Sequence, residues 1–191
     1  MFRAQNVASM AHSPTAQRYN PAIVALHWLI AILVAVVYGL TYVWDGVPDE
    51  DVPFVKDLHM GLGFTVLVLV IARIVIRLST ASPPAAQSGW PFLDRIGSLA
   101  HVLLYFLLLA VTILGVTYVQ SRARGIPLGF MEIPALLTDP VARDTSRSIR
   151  EVHELAANAL IALAIVHALA ALFHQFVLRD RLLRRMTFGG R

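Results

Sequence analysis

Long apolar runs, not alternation, organise this chain. Four stretches have about the 20 residues that a helix needs to cross a hydrocarbon core: 22–44, 58–78, 96–120 and 152–178. The first, Ala22 to Trp44, carries no charge. Asn20 is placed to cap it and Pro21 suits its first turn, where a missing N–H costs nothing. The second, Leu58 to Leu78, contains Arg73 and Arg77, while the third and fourth are broken only by histidines, Glu154, Asn158 and hydroxyl or amide groups. No segment alternates over a strand's length. The expected fold is therefore all-α, a transmembrane four-helix bundle forming one membrane domain over residues 1–191. The polar first twenty residues have no short apolar core or small-residue cleavage site, so they read as a retained tail, not a signal peptide.

Composition agrees: 57% of residues are apolar and 15% charged, with a mean hydropathy of +0.66, against about 25% charged in soluble domains. The net charge of +4 would by itself suit nucleic acid, an acidic lipid surface or membrane topology. Its distribution chooses topology. Four spans put both termini on one side, with ten basic and two acidic residues there against six basic and ten acidic on the other. The positive-inside rule then places the N- and C-termini in the cytoplasm and excludes a nucleic-acid role for the surplus. The connection from Ser121 to Glu151, with Pro127, Pro134 and Pro140, is long for a bundle and is expected to fold over the extracytoplasmic end as a lid or docking surface.

With no cysteine, iron–sulfur clusters, thiol catalysis and covalently attached haem are excluded. Histidine is the ligand on offer. His27, His59, His101, His153 and His167 lie in the spans or at their entrances and His174 near the end of the fourth, whereas His12 sits in the polar tail. Ionisable groups at such depths mark function by default. His153 and His167 are 14 residues apart, hence within about 40° of one helix face and about 21 Å apart along the axis. On the alternating topology His59 is level with His153 near the outer surface, and His27 with His167 near the inner one. Two cross-helix pairs result. Zinc commonly takes three or four protein ligands, but iron in a porphyrin needs only two axial ones, so paired histidines on facing helices suit haem. Gly61, Gly63 and the alanines 156, 157, 164, 168, 170 and 171 would leave room for a flat macrocycle.

Arg73 and Arg77 lie 14 and 18 residues after His59 on nearly the same face, which puts them near the inner pair. An unpaired cation in hydrocarbon costs at least about 2.5 kcal/mol, and haem propionates are the expected counter-anions; snorkelling to lipid headgroups is the competing account. His101 reads as a hydrogen-bond partner of a propionate or quinone, with alternative ligation open. His174, seven residues after His167, shares its face and is a minor alternative to it in a shifted register.

The segments RYNPAIVALHWL (18–29), LHMGLGFTVLVLVIARIVIRL (58–78), LAHVLLY (99–105) and HELAANALIALAIVHALAALFHQFVLRDRLLRRM (153–186), in this order and with this histidine spacing, resemble the bacterial cytochrome b561 family. These are di-haem four-helix cytochromes of the bacterial inner membrane, related to the cytochrome b subunits of hydrogenases and formate dehydrogenases. The resemblance implies two non-covalent haem b groups on four axial ligands, His27, His59, His153 and His167, and ubiquinone or quinol as the lipid-soluble partner. It departs at AVTILGV (110–116), where many relatives place a proline before the glycine, so a kink in the third span is not implied.

Six-coordinate haem has no open position, so the expected function is electron transfer between an extracytoplasmic donor and the quinone pool. Some relatives oxidise superoxide and reduce ubiquinone. A basic funnel of Arg122, Arg124, Arg143, Arg147 and Arg150 would speed capture of that anion, though Glu132, Asp139, Asp144 and Glu151 share the loop. The alternative is a membrane-anchor subunit of a larger dehydrogenase or hydrogenase fed by a periplasmic redox partner. Whether the chain is itself an oxidoreductase depends on the donor, and no residue is assigned a catalytic role.

Overall fold

The computed structural model describes residues 19–80, 91–179, 183, 186 and 187. Asn20 does cap the first helix: its Oδ1 accepts from the Ala22 N–H at 2.9 Å, ahead of Pro21 in the first turn. Helix α1 runs over Pro21–Val43, α2 over Val52–Ser79, α3 over Pro91–Ser121 and α4 over Arg143–Phe173, which continues as a π-helical turn, His174–Leu178. All four are long and apolar enough to cross a membrane. The chain is an all-α four-helix bundle. Helix α3 is unbroken through Gly115. His12, Asp180, the tail arginines 3 and 18 and the C-terminal arginines 181, 184, 185 and 191 lie outside the described residues.

The helices outrun the apolar stretches. Helix α4 has 31 residues, about 46 Å at 1.5 Å per residue, against a hydrocarbon core of about 30 Å. Its first turns, Arg143 to Glu151, therefore project beyond the apolar part. Two ion pairs spaced i,i+4 support them, Arg147–Glu151 at 2.8 Å and Arg150–Glu154 at 3.6 Å. Similarly, α2 starts six residues before Leu58 and α3 five before Ile96.

Packing is antiparallel and sequential, α1 on α2, α2 on α3 and α3 on α4. The central buried cluster is small, Ile30, Val66 and Val70, flanked by Leu26, Leu33, Val34, Leu69, Ile74, Leu108 and Leu109. Large apolar side chains such as Ile32, Val75, Val102, Phe106 and Val166 point outward along the spans, as expected where lipid replaces water as the solvent. Helices α1 and α4 are joined by a hydrogen bond from the Tyr38 hydroxyl to Asn158 Oδ1, 2.8 Å, and Tyr42 donates to the Tyr38 hydroxyl at 3.0 Å.

The 122–142 connection is ordered by specific bonds. Two short antiparallel strands, β1 (Ile126–Pro127) and β2 (Glu132–Ile133), pair Ile126 with Ile133. They are too short to leave an alternating signature in the sequence. Gly129, at φ 83°, supplies the left-handed residue that a two-residue hairpin turn demands. Gln120 ties the returning chain to α3: its Oε1 accepts from the Leu136 N–H at 2.7 Å, and the Val141 N–H donates to the Ser121 carbonyl at 2.9 Å. The hairpin docks on α2, where Arg124 pairs with Asp57 at 2.5 Å and Gly61 faces the Pro127 carbonyl so closely that a Cβ would collide with it. Gly61 thus makes room for the hairpin backbone and not for a macrocycle, correcting the sequence expectation.

Candidate functional site

At the end of the bundle that carries the hairpin, the loop end, His59 of α2 faces His153 of α4. Their ring centres are 6.4 Å apart and their planes nearly perpendicular, at 80°. Each ring is held by a neighbouring helix: His59 Nδ1 lies 2.9 Å from the Val37 carbonyl of α1, and His153 Nδ1 lies 2.9 Å from the Val111 carbonyl of α3. A carbonyl only accepts, so each Nδ1 carries the proton and each Nε2 the lone pair. This is the arrangement of a metal-ligating histidine. An imidazole nitrogen ligates a metal at about 2.0–2.1 Å and lies about 1.1 Å from its ring centre, so opposed ligands of one ion have centres about 6.3 Å apart. The observed separation matches.

A mid-helix carbonyl is open to a second donor only if the residue one turn later does not cover it, because helical side chains lean towards the N-terminus. After Val111 that residue is Gly115, whose missing Cβ would stand 3.1 Å from His153 Cε1. After Val37 it is Thr41, whose hydroxyl is turned to the Tyr38 carbonyl at 2.7 Å. Gly39 and Gly63, on α1 and α2, face open space, which leaves clearance for a flat group. Trp44 meets the His59 ring edge-on at 5.6 Å, and Lys56 lies over Trp44.

Towards the opposite, terminal end, four helices contribute one polar cluster: His27, Arg73, His101 and His167. Arg73 Nη1 donates to His27 Nδ1 at 2.8 Å. His167 meets His101 edge-on, ring centres 5.1 Å apart, too close for a metal to lie between opposed rings by the same geometry. His27 is within electrostatic reach of both. Residues expected to form the inner pair are thus in one cluster, but the ring nearest His167 is His101, and Arg73 is bonded to a histidine. Among the described residues no carboxylate lies at this depth, and a donor-only guanidinium takes the imidazole lone pair as its acceptor. Arg73 stands over the Tyr105 ring at 5.6 Å; its Nε and the Tyr105 hydroxyl are both buried without a hydrogen-bond partner. Arg77, one turn further out, lies over the Tyr19 ring at 5.3 Å. His174 opens the π-helical turn. Among the described residues, no three His, Asp or Glu side chains cluster as a metal site.

At the loop end a cleft of about 260 Å³ is lined by Tyr118, Arg122, Arg143, Ser146, Arg147 and Arg150. Tyr118 lies three residues beyond Gly115, and Arg150 three before His153, so the cleft starts about one turn outside the His59–His153 pair. Four of the five arginines expected in a funnel meet here, while Arg124 is engaged by Asp57. Glu151 and Glu154 pair with Arg147 and Arg150. Among the described residues Arg122 and Arg143 have no carboxylate within ion-pair distance, which leaves the cleft positive.

Sequence reasoning passed over Tyr105, the Tyr38–Asn158 bridge and the part played by Gly115. The available signal was polar groups at depths where each needs a partner, together with a glycine placed one turn after a carbonyl.

A family model described as prokaryotic cytochrome b561 matches residues 18–189. The chain is similar to a Yersinia pestis protein named "Probable superoxide oxidase CybB", 29% identical over 89% of this chain and 96% of that one. It is also similar to "Cytochrome b561 homolog 2" of Escherichia coli, 30% identical over 93% and 95%, and to "Cytochrome b562" of Cereibacter sphaeroides, 35% identical over 88% and 94%.

Proposed function

The chain belongs to the prokaryotic cytochrome b561 family, a multi-pass, haem b-binding, electron-transferring protein of the bacterial inner membrane, and from that premise we propose that it carries two haems and passes electrons between an extracytoplasmic donor and ubiquinone. His59 and His153 would hold the haem at the loop end, and His27 and His167 the one at the terminal end. The observation that carries this reading is the His59–His153 geometry: a 6.4 Å ring separation with both Nδ1 protons committed to backbone carbonyls. The terminal-end cluster supports the second site less directly, through Arg73 Nε and the Tyr105 hydroxyl, which lack acceptors.

Haem b, when bound, would supply a one-electron centre. The chain's residues do the rest. The Val37 and Val111 carbonyls fix the two loop-end rings in one tautomer and orientation, which raises their basicity as ligands. Gly115 gives His153 its seat. Arg73 would hold a propionate carboxylate in place of the His27 imidazole, leaving that ring to ligate, and Arg77, one turn nearer the terminal end, would be a second cation for the same groups. His101, its ring centre 5.1 Å from that of His167, would be a polar neighbour of the second site.

The donor we favour is superoxide. Supporting this are the name borne by the Yersinia relative and a cleft with two arginines free of carboxylates about one turn outside His153, where positive potential raises the capture rate of a small anion. With the terminal end in the cytoplasm, the cleft faces the extracytoplasmic side. Rapid mixing of the oxidised protein with superoxide tests the assignment: haem reduction should outrun spontaneous dismutation, and a rate no faster would sink it. The second reading, an anchor for a larger dehydrogenase or hydrogenase, draws on Phe130 and Leu136, 87% and 82% exposed in the connection. A periplasmic redox chain copurifying in stoichiometric amount would favour it.

A further inference from the structure

The terminal-end cluster contains a group that nothing so far uses, the Tyr105 hydroxyl. It is buried and has no hydrogen-bond partner, and the same holds for Arg73 Nε, whose guanidinium lies over the Tyr105 ring. Buried polar atoms are rarely left so, since each costs about 1–3 kcal/mol unsatisfied. The two do not satisfy each other: the guanidinium carbon sits over the ring face, while the hydroxyl lies in the ring plane. Arginine has donors only, and a tyrosine hydroxyl readily donates. Two donors, one from α2 and one from α3, therefore await an acceptor at one place. Among the described residues Asp94 is the one acid in the terminal half of the bundle, and it lies 11 residues before Tyr105 on the same helix, about 16 Å away along the axis. The described residues supply no such acceptor, and a guanidinium within a membrane span calls for an anion. A carboxylate, with several lone-pair sites on two oxygens, accepts from both.

We propose that Tyr105 is a binding residue for the haem at the terminal end, its hydroxyl donating with Arg73 to one propionate carboxylate so that α2 and α3 hold the group from two sides. The inference rests on the two-haem reading above. It assigns the tyrosine an electrostatic consequence that a merely space-filling ring would not have. A carboxylate that accepts this hydrogen bond projects less negative charge onto the iron than one that does not, and less negative charge favours the reduced state.

Tyr105→Phe removes only the hydroxyl. A redox titration of the purified variant should show the midpoint potential of the terminal-end haem shifted downward with that of the loop-end haem unmoved, and resonance Raman spectra should show an altered propionate bending band. Loss of the terminal-end haem alone would count in favour, since the retained loop-end haem reports an intact bundle. His167→Ala identifies which midpoint belongs to which haem. The proposal is overturned if Tyr105→Phe leaves both midpoints and the propionate bands as in the wild type, or moves both midpoints equally. A wild-type protein with one haem or none would defeat the two-haem reading itself, before any tyrosine variant is made.

Discussion

Gly115 shows how much one missing methyl can decide. Its Cβ position is 3.1 Å from His153 Cε1, so alanine would force the ring to give by a few tenths of an ångström, and a branched side chain would drive it off the Val111 carbonyl. Gly115→Val should lower affinity for the loop-end haem by about 10–100-fold, the usual effect of losing a partner that orients a ligand, with the terminal-end haem retained; haem content by difference spectroscopy checks this. That His59 meets His153 and that His27 and His167 share a cluster at the other end was legible, because 14-residue spacing and matched depth are visible in a sequence. The inner partnerships were not. Sequence gives depth and helix face, but whether Arg73 reaches towards a propionate or bonds His27, as it does at 2.8 Å, depends on side-chain rotamers and on which acceptors are present.

Among the elements, the apolar core of each helix could be read and its ends could not. Hydropathy marks the part that sits in hydrocarbon, whereas α4 starts at Arg143 because i,i+4 ion pairs continue the helix into water. The β1–β2 hairpin also escaped, since two-residue strands carry no periodicity. Its docking makes a prediction. Gly61→Val would thrust a side chain into the Pro127 carbonyl, at a cost of about 1–3 kcal/mol as for other overpacked sites. The variant should become more sensitive to extracytoplasmic protease within 122–142, while an unchanged cleavage pattern would contradict the docking. The arginine cleft belongs to this scale as well, because it exists only where the end of α3 meets the start of α4. Charge reversal in Arg122→Glu and Arg143→Glu should slow haem reduction by superoxide about tenfold or more at low ionic strength, and the difference should shrink as salt is added.

For the whole molecule, the basic surplus on the terminal side predicts cytoplasmic termini. A reporter fused to the C-terminus should be active only if cytoplasmic, and a periplasmically active fusion would invert the proposed direction of electron entry. A small central cluster of buried side chains and open space beside Gly39 and Gly63 suit a bundle built around flat cofactors. Stability should therefore depend strongly on haem loading, since a group that binds only the folded state stabilises it by mass action. The assignment of two haems to four histidines is tested most directly by the haem-to-protein ratio of the purified chain and of two variants. The wild type should contain two haems b per chain, and His59→Ala and His167→Ala one each, with different residual spectra. A wild type with a single haem, or either variant keeping both, would contradict it.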